Sequence, residues 1–122
     1  MAFQRILRNM VASTEGALGA IFADFEGEAV EVLTERPFEA DVHDLRVVGA
    51  YQGIAMQRLR IVCANAAIGE PVRFGIDYTT MHVLSCDLKD GYYVVLILDP
   101  TANEGVSWHR LMQCRDELMR EI

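Results

Sequence analysis

Lysine is nearly missing from this sequence: Lys89 is the only one among 122 residues, and the other ten of the 11 Lys+Arg side chains are arginines. It lies beside Asp90-Gly91 and outside any Gly-x-x-x-x-Gly-Lys pattern, so no loop is built to cradle nucleotide phosphates. Basic residues form no run, and the net charge of −7 opposes a phosphate backbone or an anionic lipid surface. Nucleic acid is therefore not expected as a partner. Cysteine is scarce and scattered. Cys63, Cys86 and Cys114 are odd in number, far apart and set among apolar neighbours, which excludes a disulfide framework and reads as buried, reduced thiols. Without Cys-x-x-Cys or an i, i+4 histidine pair, neither metal nor any other cofactor is expected. No uncharged run is long enough for a membrane helix, so membrane insertion is not expected. The first residues lack the apolar core of a signal peptide, and the expected location is cytoplasmic.

Chemistry-bearing constellations are equally sparse. No Gly-x-Ser-x-Gly elbow occurs, and Ser13, Thr14, Ser85 and Ser107 stand near no histidine with an orienting carboxylate. Acyl transfer is not expected, and the chain reads as a non-enzyme. His43 beside Asp44 reads as a solvated pair. Arg58 and Arg60 have the chemistry of a finger inserted into a nucleotide site, but a solvated helix arginine is the simpler reading. Trp108, Tyr92 and Tyr93 and most of the six methionines fall on apolar stripes and read as core.

What the sequence does contain is apolar patterning: 52% of residues are hydrophobic and 24% charged, enough for one domain over residues 1–122. Phe3, Ile6, Leu7, Met10 and Val11 predict a helix over 2–14. Residues 16–25 are apolar on both faces, as a central strand would be, and Glu26-Gly27 turns the chain into a strand over 28–34. Arg36-Pro37 breaks the pattern, and an acidic segment with Glu39, Asp41 and Asp44 suits a helix N-terminus. A long helix then runs to about Ile68, stopped by Gly69 and Pro71. Residues 72–78 alternate as a strand, 81–88 form another, and Asp90-Gly91 turns the chain into an apolar strand over 92–98. A last helix from about 105 aligns Leu111, Cys114, Leu118 and Ile122. The expected fold is α+β: a five-stranded antiparallel sheet in the order α-β-β-α-β-β-β-α, with the long helix on one face and the terminal helices on the other.

The long helix carries two apolar stripes. Leu45, Val48, Gln52, Ala55, Leu59, Val62 and Ala66 trace one that can dock on the sheet. Val47, Ile54, Ile61 and Ile68 recur every seven residues and form a second seam, turned roughly 100 to 150° from the first. Leaving that seam in water would forgo roughly 6–12 kcal/mol as an upper bound. A symmetric homodimer through this helix is the economical solution. The strand over 72–78 falls at a sheet edge, and pairing its open backbone in the dimer would close it.

The segment Thr14-Glu-Gly-Ala-Leu-Gly-Ala-Ile-Phe-Ala-Asp-Phe-Glu-Gly27, taken with this element order, resembles the roadblock family of dynein-light-chain-related domains. Gly16, Gly19, Asp24 and Gly27 fill its Gly-Ala-x-Gly-Ala and Asp-x-x-Gly positions. The resemblance implies a roadblock/profilin-like fold and a homodimer that pairs the long helices and third strands, through Val47, Ile54, Ile61, Ile68, Val72, Phe74, Ile76 and Tyr78. It also implies regulation of a Ras-like small GTPase, in bacteria the type that sets polarity and gliding. Carried over by position, the partner platform would be Arg46, Gly49, Ala50, Gly53, Gln57 and Arg60. Two other readings stay open: a dimeric scaffold indifferent to nucleotide, and a small-molecule sensor using Gln52 and Tyr78.

Overall fold

The computed structural model describes residues 2–34 and 42–122. The expected break at Arg36-Pro37 and the acidic residues Glu39 and Asp41 lie outside them, as do the side chains of His43 and Asp44. The chain runs α1 (Ala2–Ser13), β1 (Ala17–Ala23), β2 (Ala29–Thr34), α2 (Val42–Ala66), β3 (Arg73–Asp77), β4 (His82–Asp87), β5 (Tyr93–Leu98) and α3 (Glu104–Glu121). This is the predicted α+β order, with boundaries moved by a few residues.

All strand pairings are antiparallel, in the spatial order β2-β1-β5-β4-β3. The two strands predicted to be apolar on both faces, β1 and β5, lie side by side in the interior and are buried throughout. The alternating β3 is an edge, as expected, bonded only to β4 among the described residues. Local chemistry sets the turns. Asp24 Oδ1 accepts hydrogen bonds from the amides of Glu26 and Glu28, at 2.9 and 3.1 Å, and Gly27 adopts φ +84°, so the Asp-x-x-Gly motif closes the β1–β2 hairpin. Asp90 and Gly91 both take positive φ, 59° and 81°, in the type I′ geometry whose twist matches the flanking strands.

Each face of the sheet has its own core. On one, α1 contributes Ile6, Leu7, Met10 and Val11 and α3 contributes Leu111, Cys114 and Leu118, packed on Phe22, Leu84, Cys86, Val94, Leu96 and Leu98. Asn103 caps α3, its Oδ1 accepting from the Val106 amide at 2.9 Å. The opposite face gathers Ile21, Val83, Tyr93, Val95 and Ile97 with Leu45 of α2.

Candidate functional site

Helix α2 lies unusually close to the sheet along its first half, and two glycines make this possible. A Cβ on Gly49 would come within 2.9 Å of Ile21 Cδ1, and one on Gly53 within 2.4 Å of Tyr93 Oη. Into that space the Tyr93 hydroxyl reaches up and donates to the Gly49 carbonyl at 2.9 Å. Burial pushes this phenol up to about 12. Gln52, fully buried, accepts from Ser85 Oγ at 2.9 Å and donates to Tyr78 Oη at 3.3 Å, so its polar groups are satisfied beneath the helix. Farther along, Arg60 forms an ion pair with Asp87 of β4. Burial nevertheless holds the Asp87 carboxyl above its ordinary value, outweighing the opposite pull of Arg60.

This docking differs from the predicted one. Leu45 and Gln52 do face the sheet, and Met56, expected as core beside that stripe, is buried with them, whereas Val62 is 59% exposed and Ala66 is exposed. The docked face is turned toward the glycines because their lack of a side chain permits contact that an apolar count does not register. The same close approach decides where the residues of the expected partner platform lie. Gly49 and Gly53 lie buried between helix and sheet, and Arg60 is held by Asp87. Ala50 is half-buried, while Arg46 and Gln57 are exposed, the Gln57 amide donating to the Phe25 carbonyl at 2.8 Å. The six residues do not share one exposed face.

The outer side of α2 is the unusual surface. Val47, Ile54, Ile61 and Ile68 are between 40% and 73% exposed, and Tyr51 and Val62 extend the same face. Beside it runs β3. Phe74 is registered with Ser85 and Ile76 with Val83, both on the α2 side, so Phe74 and Ile76 stand half-buried there; Val72 and Tyr78 flank them, exposed. Among the described residues, eight of the eleven exposed large apolar side chains thus belong to α2, the cap that follows it, or the ends of β3. Helix α2 meets the end of β3 where Gln52 donates to Tyr78 Oη. Exposed apolar patches of this extent and open strand edges are features that macromolecular partners commonly cover.

The remaining polar chemistry is mostly structural. Thr14 Oγ1 donates to the Met10 carbonyl at 2.6 Å and Ser107 Oγ to that of Asn103 at 2.7 Å. The Arg73 guanidinium lies 4.7 Å above the Trp108 ring. All three cysteines are free; Cys86 and Cys114 are buried and pushed up to about 11 and about 12 by burial, while Cys63 is only half-buried. One grouping escaped sequence reasoning. His82 at the start of β4 meets Asp77, its register partner on β3, and Glu104 at the start of α3. These residues are too dispersed in sequence for any motif, and only the hairpin register could have paired the first two. Among the described residues no helix is long and apolar enough to cross a membrane.

No family model matches the sequence, and no curated protein matches it. Solved structures do match. A gliding protein MglB from Thermus thermophilus superposes with a TM-score of 0.83 at 14% identity, covering 98% of this chain and 87% of that one. A Roadblock/LC7 domain from Streptomyces avermitilis superposes with a TM-score of 0.82 at 9% identity, over 96% and 94% of the two chains. An MglB structure described as having a tetrameric arrangement gives 0.83 at 14% identity, over 97% and 85%. The fold of this chain is therefore the roadblock fold.

Proposed function

We propose that this chain is a roadblock-type regulator that works as a homodimer and binds a Ras-like small GTPase, without catalytic residues of its own, in the cytoplasm. The observation that carries the reading is the apolar outer face of α2 together with the open edge of β3, on a fold shared with MglB. Two copies related by a twofold axis bury the same surface twice, and pairing of their β3 edges joins the sheets. The interface residues are Val47, Ile54, Ile61 and Ile68 of the helix seam with Val72, Phe74, Ile76 and Tyr78 of the strand. The seam residues are about half exposed, so covering them is worth roughly 3–6 kcal/mol per protomer, on the scale of a stable dimer. The tetrameric arrangement described for MglB is in keeping with self-association of this fold.

The double substitution Ile54→Asp with Ile61→Asp places charges in the desolvated seam and yields a folded monomer in sedimentation. A double variant that stays dimeric removes the seam from the interface. Nucleotide sensing is tested by affinity capture from the source lysate, in parallel with a non-hydrolysable GTP analogue and with GDP. A GTPase retained mainly with the analogue supports the regulator. Equal retention under both nucleotides favours the dimeric scaffold.

A further inference from the structure

At the end of the β3–β4 hairpin opposite α2, His82 Nδ1 lies 2.6 Å from Asp77 Oδ1 and 3.3 Å from Glu104 Oε1. Its other ring nitrogen, Nε2, lies 3.0 Å from the Pro100 carbonyl oxygen. A carbonyl only accepts, so Nε2 carries the proton. Nδ1 faces two carboxylates, so either a proton, which makes the ring an imidazolium, or a metal ion lies among the three atoms. A proton on Nδ1 supplies one positive charge against two negative ones. Among the described residues neither carboxylate is paired with an arginine or lysine.

We propose that Asp77, His82 and Glu104 form a binding site for a first-row divalent cation of the zinc class, ligated by His82 Nδ1 and one oxygen of each carboxylate. The ligand atoms all lie within 4.8 Å of one another. Tetrahedral bonds of about 2.0–2.1 Å set ligand atoms roughly 3.3 Å apart. Glu104 and His82 already have that separation, and Asp77 needs to retract by roughly 0.7 Å, which its 66% exposed side chain is free to do. Ring orientation is provided by the Nε2–H bond to Pro100, the kind of backbone contact that fixes the tautomer of metal-binding histidines. An imidazole with two carboxylates suits zinc and its neighbours and disfavours magnesium, which takes oxygen ligands. Binding displaces the Nδ1 proton to solvent and replaces a cluster of net charge −1 by a neutral one. Three elements are tied together: the end of β3, the start of β4 and the first residue of α3. Water completes the coordination from the open side.

Calorimetric titration of the chelator-treated protein with zinc chloride tests the site, with His82→Gln, Glu104→Gln and Cys63→Ser variants in parallel. Glu104 is an exposed first-turn residue, so its variant keeps the fold even where the histidine variant does not. The expected result is one zinc per chain, weakened by at least about tenfold in the His82 and Glu104 variants and unchanged in the Cys63 variant. In nitrogen NMR, zinc should move the His82 Nδ1 resonance and leave Nε2 protonated. Absence of saturable binding below about 1 mM zinc, or binding that survives Glu104→Gln and disappears with Cys63→Ser, overturns the proposal.

Discussion

Gly53→Ala separates the two ways of placing α2 more sharply than any other single substitution. Were Gly53 on an exposed platform, alanine would stabilise the helix by about 0.8–1.0 kcal/mol. In the structure the new methyl would lie 2.4, 2.7 and 3.0 Å from Oη, Cζ and Cε1 of Tyr93. That ring cannot simply turn aside, since it is 3% exposed and its hydroxyl is bonded to the Gly49 carbonyl. Overpacking costs about 1–3 kcal/mol, and losing the tyrosine bond adds about 0.5–1.5. Subtracting the helix gain leaves a net destabilisation of about 0.5–3.5 kcal/mol. Urea unfolding at one fixed protein concentration measures it. Gly49→Ala provides the graded control. Its new methyl meets first the flexible Cδ1 end of Ile21, at 2.9 Å, and should destabilise less than the Gly53 change. A Gly53→Ala protein more stable than the parent would refute the close approach of α2 to the sheet.

Three other outcomes are expected. A thiol reagent under native conditions should modify Cys63 quickly and Cys86 and Cys114 only on unfolding, because burial keeps the latter two protonated; equal rates for all three would contradict the packing of α3 on β4. Ala67 stands at φ 55° where α2 ends, with the Ile68 amide bonded to the Cys63 carbonyl and the Ala67 amide to that of Ala64, so Ala67→Gly should stabilise by about 1 kcal/mol in the same urea assay. Tyr93, held up to about 12, keeps its proton in the folded state where the unfolded phenol, near 10, has lost it; stability from this group is complete below about pH 10 and declines toward pH 12. Tyr93→Phe should flatten that stretch of the melting curve against pH, and an unchanged slope would count against the buried hydroxyl.

The parts of the fold legible in the sequence were those whose signal is local. Period-two and period-3.6 patterning marked every element, and the apolar runs of β1 and β5 marked the sheet interior. Asp24-x-x-Gly27 and Asp90-Gly91 marked their turns, because each needs a residue type that few others can replace. The outward stripe was legible too, since Val47, Ile54, Ile61 and Ile68 repeat at a strict spacing of seven and all four are exposed. The docked face of α2 was not. Its approach is set by residues that are small or polar, Gly49, Gln52 and Gly53, and these carry no weight in an apolar stripe. Their role depends on Tyr93 and Ser85, 44 and 33 residues away, whose side chains complete the contact. The meeting of His82 with Glu104 was beyond reach for a similar reason, as it depends on how α3 returns over the hairpin.

Helix α2 is in this sense inverted. An ordinary surface helix turns most of its large apolar residues inward, whereas α2 sets glycines, a glutamine and an arginine toward the sheet beside Leu45 and Met56, and turns Val47, Ile54 and Ile61 outward. Its hold on the sheet in a single chain therefore relies on the burial of Leu45 and Met56, on close approach, and on hydrogen bonds through Tyr93 and Ser85, each worth about 0.5–1.5 kcal/mol net. Larger apolar stabilisation is available only when something covers the outer face. Should a second copy provide the cover, folding and association are linked, and the unfolding free energy measured per dimer rises by about 1.4 kcal/mol for each tenfold increase in protein concentration. The dependence is read from melting midpoints over two decades of concentration, and Ile54→Asp with Ile61→Asp should abolish it. A midpoint independent of concentration in the parent chain would mean that α2 holds to the sheet without its outer face, and the homodimer would lose its energetic basis.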